Sequence, residues 1–246
     1  MTILIFAHMN LDILAFGAHP DDVELAAGAT LAKHVSLGYK VGIIDLTRGE
    51  LGTRGTPEIR DLEAIEAGKI LGVSIRENLC FRDGFFQNDE PHQIKIIEKI
   101  RQYRPKLVLA NALSDRHPDH GKAGKLVADA CFLAGLRQIK TQWEGEEQEA
   151  WRPPNVLHYI QFYTLTPDLI LDVSGFIDQK ERSIWAHKSQ FYNPNSNEPE
   201  TLIAKKGFVD LMTLRSKDLG ISIGAEYAEG FNKTRSFGVK NLLDLV

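Results

Sequence analysis

Two short segments join histidine to carboxylate at spacings that can hold a divalent metal: Ala18-His19-Pro20-Asp21-Asp22 and, far along the chain, Arg116-His117-Pro118-Asp119-His120. Each follows an apolar run, Leu11 to Ala18 in the first case and the run ending at Ala110 in the second. His19, Asp22 and His120 supply three protein ligands and leave one position open, as a catalytic zinc requires, and histidine with carboxylate suits zinc without any cysteine. Asp21 then stands beside the metal without being needed as a ligand. It is placed to act as general base toward a water whose pKa the metal lowers to about 7. His117 remains as an acid or oxyanion-stabilising group, with Asp119 fixing its tautomer and orientation. The chemistry expected is metal-assisted hydrolysis.

Plainer readings compete with this one. Asp21 or Asp22 taken alone reads as a helix cap, because carboxylates are favoured at helix N-termini. The compactness of the two groups argues against that, since such clusters mark metal or catalytic sites. Two histidines and a carboxylate also form the triad that binds Fe(II) in oxygenases, so Fe(II) is an alternative occupant of the same ligands in the cell. A nucleotide-binding module is a further rival, but the first loop lacks GxGxxG and puts carboxylates where a pyrophosphate needs backbone N–H groups. His8, His34, His92, His158 and His187 have no comparable neighbourhood and are expected at the surface or in packing.

The two groups meet only if the elements bearing them lie side by side. Leu11 to Ala18 reads as a strand buried on both faces, followed by a helix from Asp22 to Leu37 and a strand from Lys40 to Leu46. A helix opening at Pro57, a short strand from Asn78 to Phe81, a helix from Pro91 to Tyr103 and a strand from Lys106 to Ala110 continue the alternation. A polar loop through His120 and a helix from Lys122 to Leu136 follow. Such alternation predicts an α/β fold, a mostly parallel sheet with helices on both faces, with the site at the carboxyl ends of the strands. The acidic stretch 141–154 reads as a surface loop within a single domain covering 1–246, with residues 1–9 as an extension. Strands near Val156 to Tyr163 and Leu169 to Val173 are expected next. Helices from Phe176 to Ser189 and Pro199 to Leu219, then a glycine-punctuated stretch from Ala225 to Phe237, complete the chain.

Composition is that of an ordinary globular protein, with 43% hydrophobic and 25% charged residues, enough apolar side chains for a sizeable core. The formal charge of −4 and the absence of any long basic run argue against nucleic acid and anionic membrane as partners. The apolar start from Ile3 to Ala7 is too short to span a membrane, which takes about 18 residues, and lacks a basic leader. Cys80 and Cys131 show no pairing or metal spacing and are expected as buried small hydrophobes in a reducing, cytoplasmic setting.

AHPDD at 18–22, TRGELGTRG at 47–55, RDG at 82–84 and RHPDH at 116–120, together with AHKSQ at 186–190 and YAEGF at 227–231, resemble the LmbE-like, or PIG-L, family of zinc-dependent N-acetylglucosamine-conjugate deacetylases. Within it the chain is most similar to the bacillithiol-biosynthesis deacetylases, which act on N-acetylglucosaminyl malate. The resemblance implies a Rossmann-like fold, one Zn2+ per chain on His19, Asp22 and His120, Asp21 as base, and His117 as acid or oxyanion group. It also implies sugar or aglycone contacts by Glu50, Arg60 and Asp83, a small glycoconjugate substrate, and assembly as a homo-oligomer, a trimer or hexamer. Arg48 and Arg54 offer further charge for a malate group. Relatives acting on mycothiol precursors carry tyrosine where this chain has Asp115, which leaves more of the oxyanion stabilisation to His117.

Overall fold

The computed structural model describes residues 9–241 and residue 243. Of the extension expected over residues 1–9, residues 1–8 lie outside the described residues. Strand and helix alternate through β1 (Ile13–Gly17), α1 (Asp22–Ser36), β2 (Val41–Thr47), α2 (Pro57–Leu71), β3 (Ile75–Phe81), α3 (Glu90–Tyr103), β4 (Leu107–Ala110) and α4 (Pro118–Leu133). A small hairpin of β5 (Gln142–Trp143) and β6 (Glu146–Glu147) follows. Then come β7 (Asn155–Tyr159), β8 (Leu169–Asp172), α5 (Ile177–Trp185), α6 (Phe208–Ile221) and β9 (Ala228–Lys233).

The main sheet has the order β3-β2-β1-β4-β7-β9-β8. Strands β3 to β7 in that order pair in parallel, and β9 is antiparallel to both neighbours. Every residue of β1 is buried. Leu14 and Phe16 face a cluster that includes Ile97 and Ile100 of α3 and Leu126 and Val127 of α4, while Ile13 and Ala15 face Val23, Ala27 and Leu31 of α1. The strand is therefore uninterruptedly apolar because both of its faces are covered.

The parallel order reverses beside β1, which has β2 on one side and β4 on the other. The chain leaves β1 into α1 and leaves β4 toward α4, on opposite faces, and a crevice opens between the two departures. Both histidine-carboxylate segments lie on that crevice, as the alternation implied.

Several expected boundaries shift. Helix α4 begins at Pro118, so Asp119 and His120 occupy its first turn instead of a preceding loop. Proline is suited to the first helical position, and the His117 side chain caps the helix by accepting the Asp119 N–H. The expected loop at 141–154 contains the β5–β6 hairpin, made possible because Glu144 and Gly145 both take positive φ, 51° and 86°. Helix α6 starts at Phe208, after Gly207 in the left-handed region, and not near Pro199. The glycine-punctuated stretch contributes β9, placed between β7 and β8. Cys131 is buried as expected, but Cys80 is exposed at a positive φ of 52° on the sheet edge. Among the described residues no helix is long and apolar enough to cross a membrane.

The spacing of the crevice depends on α4 lying directly on the backbone that leaves β4. A Cβ placed on Gly124 would come within 2.5 Å of the Asn111 carbonyl oxygen. That neighbour is main chain and cannot swing aside. Gly124→Ala should therefore destabilise the protein by about 1–3 kcal/mol in a denaturant titration, and an unchanged midpoint would show that the helix is free to retreat.

Candidate active site

The turn that carries the first segment is closed by the Asp22 N–H donating to the His19 carbonyl at 3.3 Å. Pro20 takes its second position and Asp21 its third, with φ 123° and ψ −24°. For a residue with a side chain such a conformation costs on the order of 1–3 kcal/mol. Although Asp21 stands at the N-cap of α1, its side chain makes no capping hydrogen bond. The cap reading fails for it, and the turn instead sends two consecutive carboxylates in different directions.

Asp22 is buried, and groups from four parts of the chain satisfy it. Its Oδ2 accepts from the His19 N–H at 3.0 Å and from Asn111 Nδ2 at 2.9 Å, while its Oδ1 accepts from Gln161 Nε2 at 3.0 Å and faces His120 Nε2 at 3.1 Å. The Nδ1 of His19 is 3.7 Å from Oδ2. His19, Asp22 and His120 are thus brought together around one carboxylate. Ring nitrogens of His19, His117 and His120 also fall within 4.8 Å of one another, as do ligand atoms of His19, Asp83 and Asp119.

Asp21 points toward Arg60, whose Nη2 is 3.6 Å from its carboxylate. Arg60 is itself buried and held by the carbonyls of Pro20 and Gly49, at 2.9 and 3.0 Å. It packs so tightly on Gly49, which has φ 64°, that a Cβ there would lie 1.9 Å from Nη1. Burial raises the Asp21 pKa to about 6 against the pull of Arg60, which puts it in the range useful to a general base near neutral pH.

His117 is oriented differently from expectation. Its Nδ1 accepts the backbone N–H of Asp119 at 3.3 Å, so the partner is main chain and not the Asp119 carboxylate. That carboxylate accepts from Gly84 N–H at 2.8 Å and Lys122 Nζ at 2.9 Å, and lies 3.5 Å from His19 Nε2. Burial, helped by His19 and His120, lowers the His117 pKa. With Nδ1 occupied as an acceptor, the neutral ring carries its proton on Nε2 and can donate from there.

Of the three expected substrate contacts, Arg60 and Asp83 line the cavity and Glu50 does not. Glu50 Oε1 accepts the Asp83 N–H at 2.7 Å, and Asp83 in turn meets His19 Nε2 at 3.1 Å and the Leu51 N–H at 3.0 Å. Glu50 thus buttresses the turn from behind. Arg48 and Arg54 are also turned away: Arg48 binds Asp61 at 2.6 Å, and Arg54 donates to the Ser189 carbonyl at 2.8 Å.

Sequence reasoning missed Asn111 and Gln161, which hold Asp22, and missed Arg116 at the cavity. It also missed an apolar wall formed by Leu25, Phe162, Ile203, Phe208 and Met212. Asn111 had a signal, being the first polar residue after an apolar run at the rim. Gln161 and the wall had none, because their places follow from long-range packing. The cavity enclosed has a volume of about 250 Å³.

Comparison with known proteins gives this geometry a context. The profile of the GlcNAc-PI de-N-acetylase family, PIG-L, matches residues 14–131. The diacetylchitobiose deacetylase of Thermococcus kodakarensis is 30% identical over 190 residues, covering 73% of this chain and 70% of that protein. A conserved protein of Thermus thermophilus, known from its crystal structure, superposes with a TM-score of 0.83 at 36% identity over 94% of this chain and 98% of that one. The 4-oxalmesaconate hydratase of Pseudomonas putida is also similar, 26% identical over 186 residues and covering 70% of each chain.

The ionisable groups predict how a cation would bind. Burial disfavours charge on His19, but Asp119, Asp22 and Asp83 outweigh it and hold the imidazolium well above the ordinary histidine range. For His120 the charge of Asp22 and the hydrogen bond of Asp115 likewise overcome burial, raising its pKa to about 9. Both rings are therefore protonated at neutral pH before a metal arrives, and ligation requires them neutral. Binding of a divalent cation at pH 7 should release roughly two protons, seen by calorimetry in buffers of different ionisation enthalpy. Heats independent of the buffer would show that the rings were neutral beforehand.

Proposed function

Since the chain belongs to the GlcNAc-PI de-N-acetylase family, PIG-L or LmbE-like, of enzymes acting on N-acetyl amides, we propose that it hydrolyses the acetamide of an N-acetylglucosamine conjugate with a metal held by His19, Asp22 and His120. The observation that carries this reading is the crevice itself. Asp22 is bracketed by His19 and His120, and the adjacent Asp21 is freed from capping by a strained turn. The donor set fits a divalent ion, because two imidazoles and a carboxylate that already face one another suit zinc, and Fe(II) accepts the same ligands.

When bound, the ion supplies Lewis acidity, acidifying water and polarising the amide carbonyl. The chain's own groups do the rest. Asp21 takes the proton of the attacking water, its carboxylate kept at hand by Arg60. His117 donates its Nε2–H to the carbonyl oxygen as negative charge develops there. That use keeps the His117 proton in a hydrogen bond, so the proton gathered by Asp21 is the one returned to the departing nitrogen.

The substrate we favour is N-acetylglucosaminyl malate, as in bacillithiol biosynthesis, in a cytoplasmic enzyme. Support comes from the motifs and from Arg116. This residue is exposed at the cavity, its guanidinium 5.3 Å above the Phe162 ring, and among the described residues it has no carboxylate partner. A dicarboxylate aglycone would supply one. The homo-oligomeric state belongs to the same proposal and is read by light scattering.

The test is amine release by protein of known metal content, comparing N-acetylglucosaminyl malate, N-acetylglucosamine and diacetylchitobiose. Preference for the malate conjugate is expected. Hydration of 4-oxalmesaconate without release of amine from any of the three would replace the reading with that of the hydratase relative. Asp21→Asn should lower kcat by about 100-fold or more while metal content stays at the native level, and full activity in that variant would remove Asp21 from the reaction.

A further inference from the structure

Asp115, in the loop between β4 and α4, lines the cavity, and both oxygens of its carboxylate are engaged. The side chain is fully buried. One oxygen, Oδ2, lies 2.5 Å from Nδ1 of His120. The other, Oδ1, accepts two backbone N–H groups, those of Phe162 at 3.0 Å and Tyr163 at 2.8 Å. The far side of the His120 ring presents Nε2 to Asp22 Oδ1 at 3.1 Å.

These contacts leave little freedom. An ionised carboxylate accepts hydrogen bonds and donates none, so the nitrogen facing it must carry the proton. His120 Nδ1 is therefore protonated, and Nε2 is the nitrogen left to bind a metal once its own proton leaves. The main-chain donors of Phe162 and Tyr163 hold the carboxylate in turn, and Phe162 with the preceding Gln161 is fixed from behind by Arg215, which donates to the carbonyls of both.

We propose that Asp115 is the positioning residue for His120: it sets the tautomer and angle of the imidazole so that Nε2 faces the metal, and it ties that ligand to the segment bearing the Phe162 wall of the substrate cavity. The metal half of this inference rests on the assignment of His120 as a ligand. The tautomer half rests on the shorter of two carboxylate contacts, 2.5 Å from Nδ1 to Asp115 against 3.1 Å from Nε2 to Asp22. Outer partners of this kind commonly contribute about 10- to 100-fold in metal affinity.

Asp115→Asn separates the two jobs of the carboxyl. The amide oxygen can still accept from Phe162 and Tyr163, so the wall stays in place, while the amide N–H₂ now faces Nδ1 and favours the opposite tautomer. The expected results are a zinc Kd raised about 10- to 100-fold and, in metal-free protein with 15N-labelled histidine at a pH where the His120 ring is neutral, loss of the Nδ1–H tautomer of His120. Asp115→Glu, which keeps the acceptor, should recover part of the affinity. The proposal is overturned if Asp115→Asn leaves the His120 tautomer as in the native protein, or if native protein binds zinc and the variant binds it equally well. Failure of the native protein to bind zinc would overturn the ligand assignment and leave the tautomer to judge Asp115. Were the Asn variant to unfold, the native spectrum with zinc would still decide, since a zinc-bound His120 carrying its proton on Nε2 contradicts the contact.

Discussion

The burial of the Asp22 carboxylate is the constraint around which this end of the molecule is arranged. Removing a carboxylate from water costs several kcal/mol unless its lone pairs are satisfied, and an ionised carboxylate offers about four sites to fill. His19 N–H, Asn111, Gln161 and His120 fill them, and they come from the end of β1, the end of β4, the end of β7 and the first turn of α4. No local segment could gather those four. Satisfying one buried charge therefore fixes the relative placement of three strand ends and a helix, and burial pushes against ionisation while His120 and His19 hold the Asp22 pKa well below the ordinary value. Once the rim is set by this charge, the positions of Asp21 and His117 follow from single turns attached to it.

A second buried charge network fixes the other side of α1. Arg76 forks onto Asp45 at 2.8 and 3.1 Å and also binds Glu24, which accepts in addition from the buried His187 at 3.2 Å. These groups join β2, β3, α1 and the segment after α5. Burial opposes the Glu24 charge, but Arg76 and His187 prevail and lower its pKa to about 2. Buried pairs of this kind add little net stability over apolar packing and are better understood as devices that fix one arrangement. Here the arrangement fixed is the rotation of α1, and hence the aim of the turn before it. The AHKSQ motif thus finds its use below the site, with His187 in the network and Gln190 lining the cavity.

What could be read in the sequence was what is local. The apolar run of β1, the helical spacing of α1 and the proline at the start of α2 are each encoded within a few residues, and so are the two histidine-carboxylate segments. Their convergence was legible too, because parallel strands with helical crossovers place successive strand ends on one edge. Reading failed where distant neighbours decide. β9, expected only as a glycine-punctuated stretch, contains Glu229, a charge buried against the Ala29 and Thr30 N–H groups and Lys180. The start of α6, the capping role of His117 and the turn of Asp115 toward His120 depend on packing that no local pattern announces. Charge alone misled for Arg48 and Arg54, since an arginine in a loop of the right motif can as easily be spent on Asp61 or on a main-chain carbonyl.

The similarity to a hydratase as well as to deacetylases bears on which residues decide the reaction. Amide hydrolysis and hydration both need a water deprotonated beside an electrophile, so a metal ligand set with an adjacent carboxylate base serves either one. The rim built on Asp22 therefore does not distinguish them. Discrimination must come from groups that contact the remainder of the substrate, and the cavity divides these into two kinds. Arg60, Asp83 and Arg116 are polar and few, and the first two are already committed to contacts within the rim. Leu25, Phe162, Ile203, Phe208 and Met212 make a wall that comes largely from the C-terminal part of the chain, beyond the residues matched by the family profile. On the proposed function, the reacting groups and the wall that would select the substrate lie in different stretches of sequence, and the Phe162 segment, hydrogen-bonded to Asp115 on one side and to Arg215 on the other, joins them.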